Sequence, residues 1–266
     1  LVPAMGCTEP IAIAYAAAQA AARLQGEVEQ VDIYASGNII KNVKSVTVPN
    51  TGGRKGIQSA AAIGIVAGDP DLGLEVISHV RTEQIKEMEE LLNRAAFHVH
   101  HEQCSCALQV GVKVSGKGHS VLVCIQNEHS HIVRIVEDGI CILDEEAQEV
   151  AQELPDAVQF SMKGIYEFAS MADIKDVRAI LERQIACNTA IAKEGLEHSY
   201  GANIGSVLLS TYGDRVQIRA RARAAAGSDA RMSGCELPVI INSGSGNQGM
   251  TCSLPVIAYA QELHSS

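Results

Sequence analysis

Two places in this sequence carry residues that could do chemistry, and they lie at opposite ends of the chain. One is Gly6-Cys7-Thr8-Glu9-Pro10, the other Asn242-Ser-Gly-Ser-Gly-Asn-Gln-Gly-Met250. A sulfur at a helix entrance faces the positive end of the dipole, which favours the thiolate, the form that acts as base, nucleophile or metal ligand. Cys235 and Cys252 repeat the arrangement, each three residues before a proline, as Cys7 is before Pro10. The second motif has three glycines and two serines in nine residues, so its amides can approach a small anion closely. Residues 237–261 around it contain no Asp, Glu, Lys, Arg or His, the composition of a buried polar loop entering a packed helix.

Other candidates are weaker. Asn50-Thr-Gly-Gly-Arg-Lys-Gly56 sets two basic side chains beside free amides at a helix start, a carboxylate or phosphate cradle or an ordinary solvated turn. It lacks the Walker spacing. Ser36-Gly-Asn38 reads as a strand bulge or a ligand contact. His98, His100, His101, Cys104 and Cys106 invite a metal, but no second ligand pair has zinc spacing, and a polar strand face is the better reading. Asn127-Glu-His-Ser-His131 reads as a turn, and the acidic run from Asp144 to Glu153 as the wet face of a helix.

Elements must then position these groups. Residues 8–25 read as an Ala-rich helix with Pro10 in its first turn. Val28 to Val48 alternates like paired strands, and Ile57 to Ala67 is a second small-residue helix. Residues 72–140 read as a small α/β insertion. It would hold a strand at Leu74–His79, a charged helix at Glu83–Ala95, and β-runs at Phe97–His101, Ala107–Val114, Ser120–Gln126 and Ile132–Val136. Helices return after it, including Ile174–His198 and Arg215–Ala226. The expected fold is α+β. Residues 1–71 and 141–266 form a mainly helical, Ala-rich catalytic body, and residues 72–140 an inserted α/β subdomain.

Composition narrows the function classes. The 266 residues are 47% hydrophobic but only 3% aromatic, with no Trp, so Ala, Val, Ile and Leu must fill the core. A net charge of −10 argues against nucleic acid and anionic membranes as partners. No signal peptide or membrane span is visible, and eight cysteines without C-x-x-C fit a reducing cytoplasm. The chain opens on Leu1 rather than Met and closes on a helix-like run, as a piece of something longer would.

Taken together in this order, Gly-Cys-Thr-Glu-Pro at 6–10 and Ser-Gly-Ser-Gly-Asn-Gln-Gly at 243–249 resemble the serine dehydratase α-chain-like family. The match is closest to its L-cysteine desulfidase branch, and Ser36-Gly-Asn38, Lys55-Gly56, Ala190–Gly195 and Ser228–Met232 support it. The resemblance implies a β-eliminating lyase that turns L-cysteine or L-serine into pyruvate and ammonia with sulfide or water. It uses an open iron of a [4Fe–4S] cluster and no pyridoxal phosphate. Cys7 matches the proposed base. Ser243, Gly244, Gly246, Asn247 and Gln248 match the substrate loop, joined by Glu9, and Asn38 and Lys55 are candidates for the substrate carboxylate. The family's cluster cysteines belong to a C-terminal section this sequence lacks, so the cluster is expected in the complete protein and not in this chain as given. A substitute set from Cys7, Cys235 and Cys252 is the lesser alternative. A pyridoxal-dependent reading lacks a Schiff-base lysine in a recognisable context. The alternative is a non-catalytic amino-acid-binding or structural relative. Beyond a small amino-acid substrate, the expected partner is a second copy, in a helix-mediated homodimer.

Overall fold

A computed structural model of the chain describes residues 1–44, 46–104, 106, 108–145, 161–242 and 245–265. The chain starts as a short strand, β1 (Val2–Met5), and turns at Gly6 into α1 (Thr8–Ala21). Alanine favours the helix because it loses no side-chain entropy there. With Ala12, Ala14, Ala16, Ala17, Ala18 and Ala20 buried, neighbouring elements close in on nearly all sides of α1. That replaces the missing aromatics: small residues allow close backbone approach where large rings would have held elements apart.

Next come β2 (Gln30–Ala35), α2 (Gly37–Val43) and α3 (Ile57–Ala67), the last packed along α1. A 3-10 segment at Pro70–Glu75 and α4 (Thr82–Arg94) lead to β3 (Ala96–His101). β3 pairs parallel with β2, which requires a long crossover, supplied here by α2 to α4. β4 (Gln109–Gly116), β5 (His119–Gln126), β6 (Ile132–Glu137) and β7 (Ile140–Asp144) then add an antiparallel meander. The six-stranded order is β3-β2-β4-β5-β6-β7. Alternation works as the period of a strand demands. Val110, Val112 and Val114 of β4 and Val121, Val123 and Ile125 of β5 are buried, and α1 lies against these two strands.

The remainder is helical: α5 (Met162–Met171), α6 (Ile174–Glu197), α7 (Ile204–Tyr212) and α8 (Val216–Met232), then β8 (Pro238–Ile241) and α9 (Gly246–Glu262). α6 and α9 both pack on α8 and β8. β8 pairs antiparallel with β1, from Val2 opposite Ile241 to Met5 opposite Pro238. The first and last parts of the chain therefore meet.

This is an α+β fold, with four differences from the sequence reading. Val28 to Val48 is not a strand pair: only β2 is extended, and Ser36-Gly-Asn38 opens helix α2 with Ser36 at its N-cap. Leu74–His79 is not a strand. The main chain folds back there, with the Asp69 N–H donating to the Val76 carbonyl at 2.9 Å. β2, from the part assigned to the helical body, is the second strand of the sheet, and β7 carries that sheet past residue 140. Cys235 and Cys252 do not start helices. Cys235 precedes a strand and Cys252 sits inside α9, so neither faces a helix dipole. Most of the acidic run from Asp144 to Glu153 lies outside the described residues.

Candidate active site

Cys7 is the N-cap of α1, and it is buried, 3% exposed. Its thiol donates to Glu9 Oε2 at 2.8 Å. The same oxygen accepts from the Thr8 hydroxyl at 3.3 Å, and Glu9 Oε1 accepts from Asn42 Nδ2 at 3.1 Å. Asn42 belongs to α2, so the helix that the sequence reading missed brings this amide to the carboxylate.

The second half arrives through α8 and α9. Arg231, near the end of α8, is 3% exposed. Its Nε donates to the Gly6 carbonyl at 2.7 Å and its Nη1 to Asn247 Oδ1 at 3.0 Å. One guanidinium thus spans the turn before Cys7 and the first turn of α9. Ser245 caps α9, its hydroxyl accepting from the Gln248 N–H at 3.3 Å. Gly249 lies on the Ile240 carbonyl, where a Cβ would collide with main chain, and Gly246 faces the guanidinium, where a Cβ would stand 2.5 Å from Nε. Both glycines are required by close approach. From α6, Asn188 holds β8 like a missing strand: Oδ1 accepts from the Ile240 N–H at 2.9 Å, and Nδ2 donates to the Ser253 hydroxyl at 3.0 Å. Gln184, one turn earlier, donates to Asn242 Oδ1 at 3.2 Å, fixing the start of the loop.

Electrostatics depart from the expected thiolate. Burial pushes the Cys7 thiol up to about 12, and the charge and hydrogen bond of Glu9 add to this, against a smaller opposing pull from Arg231. Burial also pushes Glu9 up, but bonds from Cys7, its own main chain and Asn42, with the charge of His129, leave it below the usual range. At neutral pH the negative charge rests on Glu9 and the proton on Cys7. Burial holds the half-buried His129, between β5 and β6, towards its neutral form, against the pull of Glu9 and with the push of Arg231.

Of the expected site residues, Cys7, Glu9, Gly246 and Asn247 come together around Arg231, with Gln248 exposed on the next position of α9. Ser243 and Gly244 lie outside the described residues. Asn38 is exposed on α2. Lys55 is exposed as well, and its main chain pairs with Thr47 and accepts from the Ser59 hydroxyl. Its neighbour Arg54 is committed to Glu89 at 2.7 Å, so the 50–56 turn forms no free basic cradle. Sequence reasoning missed Arg231, Asn42 and His129 as site residues. For Arg231 a signal existed, a basic residue within the Ser228–Met232 stretch that carried part of the resemblance.

Metal chemistry can be tested on the donors. Among the described residues no three His, Cys, Asp or Glu side chains gather to hold a metal ion. Cys7 is committed to Glu9, Cys235 is buried beside Tyr200, and Cys252 is exposed along α9. His100 binds Asp32 at 2.9 Å and stacks on Tyr34, a polar strand face. The described residues therefore do not fit a [4Fe–4S] cluster.

The site belongs to an α+β protein in which a helix-capping cysteine meets a Ser/Gly-lined helix entrance across a buried arginine. The chain belongs to the serine dehydratase alpha chain family, whose model matches residues 71–266. It is 49% identical over 263 residues to a UPF0597 protein of Lachnoclostridium phytofermentans, covering 99% of this chain and 63% of that one. A UPF0597 protein of Desulfitobacterium hafniense is 50% identical over 266 residues, covering 100% and 62%. One from Fusobacterium nucleatum is 43% identical, covering 100% and 64%. The chain thus spans less than two thirds of the length of these curated relatives. No solved structure matches it. Among the described residues no helix is long and apolar enough to cross a membrane.

Proposed function

We propose that the full-length protein is a lyase of the serine dehydratase type, and that it removes the β-substituent of L-cysteine or L-serine. The observation that supports this reading most is the span of Arg231 from Gly6 to Asn247, which puts the Cys7 thiol and the entrance of α9 around one centre. Family membership supplies the reaction class.

The protons have a defined route. Cys7 at rest is a thiol, so it cannot take a proton until its own has moved. Its hydrogen bond to Glu9 Oε2 supplies the acceptor. The thiol proton passes to Glu9, the thiolate sulfur takes the α-proton, and the Cα–H electron pair forms the double bond as the β-substituent leaves with its pair. One of the two protons now on Cys7 and Glu9 goes to the departing sulfide or hydroxide. Aminoacrylate then tautomerises, and water releases ammonia and pyruvate. Burial keeps the thiol protonated between turnovers, which protects it from oxidation. A [4Fe–4S] cluster, where present in the complete protein, has its ligands outside the described residues, and none of these proton steps depends on it.

The test is anaerobic reconstitution of the longest product of the gene with iron and sulfide, followed by pyruvate assay with both amino acids. Pyruvate from at least one is expected, with Cys7→Ser lowering kcat by about 10²- to 10⁴-fold. A cluster-loaded protein inert towards both would sink the lyase and leave an amino-acid-binding relative.

A further inference from the structure

We infer that Arg231, rather than Lys55 or Asn38, is the seat of the ligand's α-carboxylate. Arg231 is a buried cation that forms no direct ion pair among the described residues: Glu9 attracts it at longer range but is itself engaged by Cys7, Thr8 and Asn42. A buried charge left in this state is costly, and proteins keep such a group where something else completes it. Two of its nitrogens are spent on neutral acceptors, Nε on Gly6 and Nη1 on Asn247, with Met232 Sδ at 3.7 Å from Nη1. Nη2 has no acceptor among the described residues, and is there the one guanidinium nitrogen left for an incoming molecule.

The surroundings have the same sign. α1, with no side chain capping its first turn, and α9 both begin here, bringing two positive dipole ends to one guanidinium. Gly246 lets the main chain of α9 lie directly on that group. Against these stands one carboxylate, Glu9. The imbalance fits a single small monoanion, and Glu9 next door disfavours a phosphate dianion. Because Arg231 also holds the carbonyl of Gly6, next to Cys7, an α-amino acid bound to it by its carboxylate would sit near the sulfur. The identity of the ligand as an amino acid rests on the lyase reading, whereas the carboxylate seat rests on the charge geometry alone.

L-alanine has the carboxylate and ammonium of the substrate but no leaving group, so binding can be read without turnover. Calorimetric titration of the full-length protein should show L-alanine binding, no detectable binding of L-alaninamide or inorganic phosphate, and about 10- to 100-fold weaker L-alanine binding in Arg231→Gln. If that variant fails to fold by circular dichroism, Lys55→Ala and Asn38→Ala decide, since both should keep the parent's affinity for L-alanine. Equal affinity for L-alanine and L-alaninamide, a loss of L-alanine binding in either of those variants, or full L-alanine affinity in a folded Arg231→Gln, would overturn the seat. Binding that depends on Arg231 in a protein without lyase activity would retire the reaction and keep the seat. Turnover with an unchanged KM in Arg231→Gln would do the reverse.

Discussion

The proton on Cys7 is set by its neighbours, and burial outweighs the helix dipole that makes a helix-capping cysteine look like a ready thiolate. The second contribution is the Glu9 carboxylate. Glu9→Gln removes that charge, so the pH midpoint for alkylation of Cys7, followed by mass spectrometry of its peptide, should fall from near 12 towards the ordinary thiol range. An unchanged or higher midpoint would show that Glu9 does not control the thiol. The same variant should lose most of kcat if Glu9 takes the thiol proton, with KM less affected. Cys7, Glu9 and Asn247 could be read from the sequence because short motifs surround them. Asn42 and His129 left no such mark, and Arg231 only its place in the Ser228–Met232 stretch. Each comes from an element of different period, and only the packing of α8, α2 and the β5–β6 turn brings them near one carboxylate.

Elements were legible where the apolar period was sustained. α3 spans Ile57–Ala67 as its pattern implies, and α6 and the strands β3 to β6 fall within a few residues of the expected limits. Val28 to Val48 misleads because isoleucines and valines every second or third residue suit both a strand and one face of a short helix, and Ser36 can cap the latter. Cys235 and Cys252 mislead because a proline marks a strand's first residue or a helix interior as well as a helix start. The support of β8 by α6 left no local signature at all. Asn188 is fully buried and bonds both polar groups of Ile240, with its donor at 3.4 Å from the carbonyl. Asn188→Ala leaves the Ile240 N–H without that acceptor, and urea unfolding should show a loss of about 1–3 kcal/mol. Because α9 rests on this strand, substrate KM should rise as well. A stability equal to the parent would mean that water or main chain replaces the amide.

At the scale of the molecule, β1 and β8 form a two-stranded sheet of their own, separate from the six-stranded sheet. Deleting residues 1–5 should therefore abolish hydrogen-exchange protection at Val239 and Ile241, sparing Ile240, whose N–H donates to Asn188, and leaving β4 and β5 protected, because the larger sheet uses no residue of β1. Equal loss in both sheets would show that the small sheet is needed for the whole fold. The amount of sheet and helix could be judged from the sequence, but the sharing of β2 could not: a parallel partner 66 residues away, Gln30 opposite Ala96, leaves no mark in either segment.

Pairing between segments far apart in the sequence also fixes a timetable. Cys7 leaves the ribosome well over 200 residues before Arg231 and Asn247, so roughly 10–50 s of synthesis separates the thiol from its cover. During that interval the sulfur is an ordinary unshielded nucleophile, open to any oxidant or soft metal in its surroundings. The folded protein can be indifferent to such agents while the nascent chain is not.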